Sequence, residues 1–586
     1  MELIKKNRSV LIQAALGNIA CDLSIENASL INVLTGEIYP ASVDVKDGVI
    51  VRVRMDGEKV EIPSVKTVDA AGKYLAPGFF DTHMHIESSL LVPENFGKAA
   101  IEWGTTTVVT DPHEIGNVMG VPGVLYMLES AKKSPVRQFI LAPSCIPSVP
   151  GIESAGAEFG AAEVAELMKY DEVLGLAEVM DYIGVYTDEK RMHDIIAEAD
   201  KVGGFIQGHA PELKGKELCA YIVGGPHTDH EMYTSEEILN KRRLGMGINA
   251  RVQTEKDARM FIDGMTQGMF TDTVALCTDD NFAHKVRDRG SVNIAVSELI
   301  KAGMDPILAV KMGTFNGARD QGFTDVGAIA PGYVADMQIV SDLTFVNKAE
   351  YVFVAGEMVV ENGKYTGEPA GKAWHNAGDT INCIAVKSGD DFRIPAEGHA
   401  SRKVMVVNEG YREDKLIREE LPAEGGFLRI PEERLGELNW ISVVNRYGKD
   451  TKSLALYRNF GLKRGAMAAS IGHDCHNLTL MFADADDAYI AVEELKKCGG
   501  GIIYVRDGEV VSLLKLPVAG LMSDLPLEEV AAETSHVVET ISKECGIEEF
   551  SLGSLIFLPL PVFNWYCPTD FGIVDGPRKK LVQVVE

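Results

Sequence analysis

The chain has 586 residues, 46% hydrophobic and 24% charged, which is the composition of a globular protein rather than a disordered or fibrous one. At roughly 100–200 residues per domain, this length predicts two to four domains. The formal net charge of −29 disfavours nucleic acid and anionic membrane surfaces as main partners. Nine scattered cysteines without a C-x-x-C pair indicate a reducing cytoplasm.

The N-terminal part predicts a short helix followed by a small β-domain. Apolar residues at helical spacing over 10–20 favour an amphipathic helix over a signal peptide, because Gln13 and Asn18 interrupt the apolar stretch. No apolar run in the chain is long enough to cross a bilayer. Short alternating runs bounded by turn residues then predict strands at 22–25, 30–33, 42–45 and 49–53.

The predicted secondary-structure pattern changes near residue 74, where apolar strand-like runs alternate with longer helical stretches. The predicted strands are 75–80, 105–110, 138–142, 173–177, 204–207, 227–230, 247–250 and 274–277, and the sixth has the weakest pattern. Eight β-α repeats over roughly 250 residues are what a (β/α)8 barrel requires. The sequence therefore predicts an α/β protein built around a TIM-like barrel.

Short strands return after the barrel and complete the predicted domain organisation. The runs at 327–340 and 351–365 would form the second part of a β-sandwich that is split around the barrel, and 363–379 reads as a linker. A helix at 486–497 and a glycine-rich break at 499–501 indicate a further α/β segment. The expected divisions are 1–73 for the first sandwich part, 74–326 for the barrel, 327–380 for the second sandwich part with its linker, and 381–586 for a C-terminal α/β domain.

Two histidines mark the end of the first barrel strand. His83 and His85 follow the apolar run that ends at Phe80. Alternate residues of a strand point to the same side, so both imidazoles can face one point at the carboxyl end of the strand. Barrel enzymes keep their active sites at that end. An H-x-H pair alone is a weak motif, but this position favours a ligand role.

Other strand ends carry compatible groups. The fourth strand is followed by Glu178, the fifth by His209, the sixth by His227 and His230, and the eighth by Asp279 and Asp280. Imidazole nitrogen and carboxylate oxygen together suit Zn, Mn or Fe(II). The set is large enough for two metal ions that share a carboxylate. The sequence therefore predicts a metal-dependent site at the barrel mouth.

Several segments carry a family resemblance that covers nearly the whole chain. They are PGFFDTHMHIESS at 77–89, TDPHE at 110–114, GLAEVMD at 175–181, GHAP at 208–211, TDHE at 228–231, TDD at 278–280, GAIAPGYVAD at 327–336, GHDCHN at 472–477 and WYCPTDFG at 565–572. The sequence resembles the amidohydrolase superfamily and, within it, the bacterial adenine deaminase family. The resemblance implies a metal-dependent hydrolase barrel with a split β-sandwich and a family-specific C-terminal domain.

The resemblance also implies roles for individual residues. His83, His85 and Asp279 would hold one metal ion, His209 and His230 would hold a second, and Glu178 would bridge both. Glu178 takes the place of the carboxylated lysine of dihydroorotase-like and urease-like relatives, because no lysine directly follows the fourth strand. His230 is preferred to His227 on the TDHE match, and Asp279 to Asp280 on its position at the strand end. The ions would be Mn(II) or Fe(II), with Zn(II) as an alternative.

The implied reaction is the hydrolytic deamination of adenine to hypoxanthine and ammonia, in purine salvage or catabolism. A metal-activated hydroxide would attack C6, and Asp279 would move the proton; Glu178 would act with the metals. Candidates for contacting the purine are Glu87, Ser88, Asp111, His113 and Glu114, although as capping and turn residues they have an equally ordinary structural interpretation.

Other interpretations remain open on the sequence. One is a different amidohydrolase that acts on another 6-substituted purine or a cyclic amide, and another is a non-catalytic relative that only binds. The cytidine-deaminase type is disfavoured because its H-x-E…P-C-x-x-C signature is absent. His473 and His476 are expected to form a polar turn, and a site that faces the barrel mouth is the alternative. A homo-oligomer is expected from the barrel type.

Overall fold

The centre of the protein is an eight-stranded parallel barrel. The computed structural model describes every residue except 56–57, 59–61, 266–269, 374–377, 409–415, 548–549 and 563–564, so part of the predicted linker lies outside the described residues. The barrel strands are, in chain order, Phe79–Met84, Thr105–Thr110, Arg137–Ala142, Val173–Val179, Phe205–Gly208, Thr228–Asp229, Gly247–Arg251 and Val274–Cys277. The predicted barrel is confirmed, and its sixth strand is the shortest.

The barrel closes through contacts that join two groups of strands. The first five strands form one parallel sheet and the last three form another. A parallel bridge between Met84 and Asp279 joins the first strand to the chain that follows the eighth. On the opposite side, the His227 amide donates to the Ile206 carbonyl oxygen at 2.9 Å. All eight carboxyl ends therefore meet at one mouth.

The predicted first barrel strand at 75–80 was wrong in its bounds. Tyr74–Pro77 pairs with Met337–Val340 in the β-domain, and only Phe79–Met84 enters the barrel. The chain changes sheets at Gly78, where a Cβ atom would clash with the side chain of Thr106. His83 consequently lies inside the barrel strand, whereas His85 follows it.

Strands from both sides of the barrel segment form one nine-stranded sheet. Its members are Leu23–Asn32, Glu37–Lys46, Val49–Met55, Lys66–Asp69, Tyr74–Pro77, Met337–Val340, Tyr351–Val354, Glu357–Glu361 and Lys364–Tyr365. The β-domain is thus split around the barrel, as the sequence predicted. The predicted strands 22–25 and 30–33 are one continuous strand with a bulge between Ile25 and Ala28. The N-terminal helix spans Arg8–Ala15 and packs against this sheet.

Helices surround the barrel. They are Pro93–Ala100, His113–Met119, Val121–Ala131, Ala161–Leu167, Tyr182–Tyr186, Lys190–Val202, Gly215–Val223, Ser235–Arg243, Glu255–Gly264, Ala283–Arg289, Val292–Lys301, Pro306–Lys311 and Gly317–Asp320, with short 3-10 or π turns at Ile86–Ser89, Ile101–Trp103 and Met312–Asn316. Among the described residues, no helix combines the length and apolar character needed to span a bilayer.

The C-terminal part is an α/β unit built on a six-stranded antiparallel sheet. Its strands are Leu438–Val444, Ala455–Arg458, Ala466–Ala469, Leu478–Phe482, Gly501–Arg506 and Glu509–Lys515, with smaller sheets formed by Ser401–Met405, Arg418–Glu424 and Phe427–Leu428 and by Tyr566–Thr569, Gly572–Asp575 and Lys580–Val582. Its helices are Ala485–Cys498, Leu527–Cys545 and Gly553–Ile556, with 3-10 turns at Gly389–Phe392 and Glu432–Arg434.

The C-terminal unit is fixed to the barrel by a shared apolar core. Buried side chains of both parts, such as Leu91 and Phe96 with Leu521 and Val530, belong to one continuous cluster. The Ser523 amide donates to the Leu90 carbonyl oxygen at 2.8 Å. Because burial of apolar area is the main favourable term in association, this contact holds the C-terminal unit over the barrel mouth.

Candidate active site at the barrel mouth

Six side chains from five strand ends converge at the mouth of the barrel. They are His83, His85, Glu178, His209, His230 and Asp279, and each is at most 8% exposed. His83 and Glu178 lie in the first and fourth strands, and the other four residues follow the first, fifth, sixth and eighth strands within two residues. The six residues named from the sequence as metal ligands are therefore adjacent in space. Parallel strands bring this about because their carboxyl ends open on the same side.

The Glu178 carboxylate lies at the centre of this cluster. One oxygen is 3.4 Å from His85 Nε2. The other oxygen is 2.7 Å from His209 Nδ1 and 3.2 Å from His230 Nε2. A single carboxylate thus faces imidazoles from both halves of the barrel.

Asp279 faces His83 and shares His85 with Glu178. Its Oδ1 atom is 3.3 Å from His83 Nε2 and 3.2 Å from His85 Nε2. Its Oδ2 atom accepts a hydrogen bond from the Arg251 guanidinium. The backbone of Asp279 has a positive φ of 56°, a conformation that aspartate tolerates better than most residues. Tertiary contacts therefore hold this carboxylate in one orientation.

Hydrogen bonds on the outer side of two imidazoles fix which nitrogen faces the cluster. His83 Nδ1 lies 2.8 Å from Gln207 Oε1, and His85 Nδ1 lies 2.9 Å from the Asp111 carbonyl oxygen. Both partners are acceptors, so each Nδ1 carries the proton and each Nε2 presents its lone pair inward. His83 Nε2 is buried and has no hydrogen-bond partner. This arrangement is the usual one for histidine ligands of metal ions, so the donor set fits divalent cations.

Electrostatics keeps both central carboxylates ionised. Burial by itself would raise the pKa of Glu178, but His209 and His230 hold it well below the usual range. Burial also opposes ionisation of Asp279, but the neighbouring Arg251 guanidinium holds its pKa well below the usual range. Two carboxylates and four imidazole donors therefore converge on one buried volume, which is the chemistry of a metal centre.

The five predicted substrate-contacting residues divide into two groups. His113 and Glu114 line the cavity at the barrel mouth. The other three lie beside it and orient neighbours: Asp111 Oδ2 is 3.0 Å from His113 Nδ1, Glu87 accepts from the Ile115 amide at 3.2 Å, and Ser88 donates to Asp280. Burial and the nearby Glu114 charge raise the pKa of Glu87 to about 7.

A buried lysine holds the two loops that carry His209 and His230. Lys241 is 0% exposed, and its Nζ atom lies 2.7 Å from an Asp229 oxygen and 2.7 Å from a Glu237 oxygen. Asp229 in turn accepts hydrogen bonds from the Ala210 amide at 3.1 Å and the Glu231 amide at 2.8 Å. The sequence analysis did not single out this lysine.

Replacing Lys241 with Met is expected to lower the free energy of unfolding by about 3–5 kcal/mol, because two carboxylates would stay buried without their cation. Chemical denaturation of the full chain measures the change. Lys201→Met is the control, since Lys201 is exposed and pairs with Glu198 on one helix. Its effect is expected to be about 0–1 kcal/mol. Equal effects of the two substitutions would contradict the anchoring role of Lys241.

Sequence reasoning missed several residues that line the cavity. Glu231, Tyr233 and Arg251 line it from the barrel. Arg251 ends the seventh strand, so the rule that identified Glu178 could have found it. The remaining wall comes from the C-terminal part, through His473, Asp474, Phe557, Leu560 and Trp565. No pattern in the sequence shows that those residues lie over the barrel.

The structure places His473 and His476 at the barrel mouth. His473 Nδ1 lies 2.8 Å from Glu114 Oε1, and His476 Nε2 contacts the other oxygen of Glu114. Residues 473–475 do form a turn, but the turn is buried at the barrel mouth, so the two interpretations hold together. The cavity that His473 helps to line has a volume of about 390 Å³, within the range of about 300–1,000 Å³ common for small-molecule sites.

Comparisons with known proteins decide the family. The amidohydrolase family matches residues 74–363, and the adenine deaminase C-terminal domain matches residues 414–580. Adenine deaminase 2 of Carboxydothermus hydrogenoformans is 36% identical over 583 residues, which cover 98% of this chain and 99% of that protein. The chain belongs to the adenine deaminase family. Adenine deaminase 2 of Rhizobium meliloti is 34% identical, over 98% of this chain and 96% of that protein.

Membership of this family makes the chain a hydrolase and implies divalent metal ions, for which the strand-end cluster supplies candidate ligands. Adenine deaminase of Desulfatibacillum aliphaticivorans is a further relative, 35% identical over 98% of this chain and 99% of that protein. Among solved structures, an enamidase of the amidohydrolase superfamily covers 58% of this chain and 96% of its own, with a TM-score of 0.45 and 17% identity.

Proposed function

We propose that the chain hydrolyses adenine to hypoxanthine and ammonia. The observation that carries this proposal is the position of the Glu178 carboxylate between the imidazoles of His85 and of His209 and His230. The relatives named adenine deaminase, which align with 98% of the chain, supply the substrate. In the reaction a C6–O bond forms, the C6–N bond breaks, and water supplies the oxygen and the protons.

The proposed metal ligands follow the two groups of contacts. His83, His85 and Asp279 would hold one ion. His209 and His230 would hold a second ion, and Glu178 would be a ligand of both ions. A mixed set of nitrogen and oxygen donors accepts Mn(II) or Fe(II), with Zn(II) as an alternative. Divalent cations at this place would lower the pKa of a bound water from 15.7 toward about 7.

Asp279 is the proposed proton carrier. Its Oδ1 atom faces His83 and His85 while Arg251 holds its Oδ2 atom, so one oxygen is fixed and the other faces the volume where metal ions and the reacting water would bind. A carboxylate in this position can accept the proton of the attacking water and return it to the ring or the departing amino group. Arg251 would orient Asp279 through this transfer.

The cavity fits a flat, polar heterocycle. Phe557, Leu560 and Trp565 supply apolar surface for the faces of a purine, while His113, Glu114 and Glu231 supply donors and acceptors for its edge. Because the C-terminal part provides the apolar wall, closure of the site requires both parts of the chain. Exclusion of bulk water would strengthen each polar contact to the base.

The test is ammonia release and the ultraviolet change on adenine, with protein reconstituted in Mn(II) or Fe(II) and the metal counted on the same sample. Conversion of adenine to hypoxanthine with about two metal ions in the barrel site is the expected result. Metal binding without adenine turnover would contradict the substrate, and full turnover by metal-free protein would contradict the metal centre.

We also propose that this activity takes place in the cytoplasm and without a nucleic-acid partner. All nine cysteines are free, which fits a reducing cytoplasm. The net charge of −29 disfavours nucleic acid as a partner. The homo-oligomer stays a prediction, and light scattering on the purified chain measures it.

A further inference from the structure

One loop of the C-terminal unit orients a residue proposed to contact the purine. It comprises residues 470–477, follows the strand Ala466–Ala469, and we call it the cover loop. Its His473 Nδ1 atom lies 2.8 Å from one carboxylate oxygen of Glu114, and its His476 Nε2 atom contacts the other oxygen. The position of the cover loop therefore sets the orientation of the Glu114 carboxylate.

The cover loop has neither helix nor strand, although all of its residues are buried. Buried backbone carbonyls in such a loop need hydrogen-bond donors from other parts of the chain. Arg446 supplies them: its Nη1 atom donates to the Ser470 carbonyl oxygen at 3.1 Å and to the His476 carbonyl oxygen at 3.3 Å. Both ends of the cover loop are thus held by one side chain.

The other donors of Arg446 reach two further segments of the chain. Its Nε atom donates to the Thr380 carbonyl oxygen at 3.0 Å, and its Nη2 atom donates to the Thr380 hydroxyl at 2.6 Å and the Ala519 carbonyl oxygen at 2.7 Å. A guanidinium carries five N–H groups in a planar fork. Arg446 uses this fork to join three segments that are distant in sequence.

The charge of Arg446 is buried among neutral groups. The side chain is 0% exposed, and its five acceptors are four backbone carbonyl oxygens and one hydroxyl. Burial lowers the pKa of Arg446. Burying a charge without an opposite charge costs more free energy than burying an apolar side chain of the same volume. Packing alone therefore does not account for an arginine here, whereas the need to hold several carbonyl groups at once does.

The segment at Ala519 connects Arg446 to the barrel. The next residue, Gly520, has a φ of +70°, and a Cβ atom on it would lie 2.6 Å from the Nη2 atom of Arg446. The Ser523 amide then donates to the Leu90 carbonyl oxygen of the barrel segment at 2.8 Å. Arg446 therefore links the cover loop to the segment that docks the C-terminal unit onto the barrel.

We propose that Arg446 is a positioning residue: it fixes the cover loop so that His473 and His476 hold Glu114 in the orientation that binds the purine edge. Arg446 is not one of the residues that line the cavity, so it acts through the cover loop. The inference rests on the proposed function, because it takes Glu114 as a contact of the purine. Loss of the fork should weaken adenine binding more than it slows the chemical step, since the barrel strands position the metal ligands.

The first test compares Arg446→Lys with the wild type in adenine kinetics and in metal per chain. Lysine keeps the charge, but its three N–H donors share one nitrogen and cannot reach all three segments. We expect KM to rise by about 10–100-fold, kcat to change by less than about threefold, and metal content to stay the same. The control is Arg434→Lys, because Arg434 is a half-buried arginine of the C-terminal unit that pairs with Glu419 and Glu437. The control is expected to match the wild type, and a wild-type KM in Arg446→Lys would overturn the proposal.

A double-mutant cycle with Glu114→Gln separates positioning from a general weakening of the fold. If Arg446 acts through Glu114, the rise in KM of the double variant is smaller than the product of the two single rises. Agreement with that product within about twofold means independent effects and contradicts the positioning role.

A crystal structure of Arg446→Lys provides a readout that does not depend on adenine. The distance from His473 Nδ1 to the Glu114 carboxylate, now 2.8 Å, is expected to exceed the usual hydrogen-bond limit of about 3.2 Å. An unchanged distance would rule out the positioning role. A wild type that does not turn over adenine contradicts the proposed function alone, and this distance then still tests Arg446.

Thr380→Val is the second variant, for use if Arg446→Lys does not fold. Valine keeps the shape of threonine and removes one acceptor of the Arg446 fork. The same rise in KM and the same lengthening from His473 to Glu114 are expected on a smaller scale. Wild-type values of both quantities in Thr380→Val would count against the proposal.

Discussion

The variant Glu178→Gln is expected to lose metal from the barrel site and, with it, adenine deamination. The carboxylate of Glu178 faces four imidazoles, those of His85, His113, His209 and His230, and burial leaves it no solvent to replace them. An amide supplies one neutral oxygen and turns an N–H group toward the remaining ligands, so it cannot serve both sides. We expect kcat/KM to fall by roughly 10⁴-fold, the scale seen when a central catalytic group is removed.

Metal per chain and kcat/KM measured on one sample check this result. Glu153→Gln is the matched control, since it makes the same chemical change at a buried carboxylate outside the cavity. The control is expected to retain metal and turnover. A Glu178→Gln protein with wild-type metal content and wild-type rate would contradict the bridging role of Glu178.

The variant Asp279→Asn is expected to reduce kcat on adenine by about 10²–10⁴-fold, the usual contribution of a positioned proton carrier. The amide would remove the charge that faces His83 and His85. In one of its two orientations it would also place an N–H group where Oδ2 now accepts a hydrogen bond from Arg251. The loss should therefore appear in kcat even in protein that still carries metal.

Metal counting separates the two roles of Asp279. A fall in kcat at unchanged metal content supports proton transfer, and a fall that follows metal content supports a ligand role. Asp280→Asn is measured in parallel, because Asp280 is the neighbouring carboxylate and is bonded to Ser88. Near-normal turnover of Asp279→Asn with a large loss in Asp280→Asn would move proton transfer to Asp280.

The strand-end rule predicted most of the candidate site from local sequence. A residue at or just beyond the carboxyl end of a barrel strand is placed at the mouth by the fold itself, and this is why the polar residues at the strand ends could be named as candidates without coordinates. The choice of His230 over His227 came from the family resemblance. The same rule applies to Arg251, which was overlooked. The strand-end rule does not predict which loop residues face the cavity. Only two of the five residues proposed to contact the purine line it.

The C-terminal contribution could not be predicted in this way. His473 and Asp474 are hundreds of residues from His113 in the chain, and their contacts depend on how the barrel and the C-terminal unit pack together. The GHDCHN segment is compatible with a surface turn and with a site, because its local pattern is the same in both. The choice is made by the apolar core that the barrel and the C-terminal unit share.

The sequence by itself determined the alternation of strands and helices, the split of the β-domain and which polar residues stand at the strand ends, because these follow from side-chain periodicity and short-range turns. Only the tertiary structure decided where the chain leaves the β-domain at Gly78, how His113 and Glu114 meet His473 and Asp474, and which side chains close the cavity. Those features depend on packing between elements distant in sequence, which local patterns do not specify.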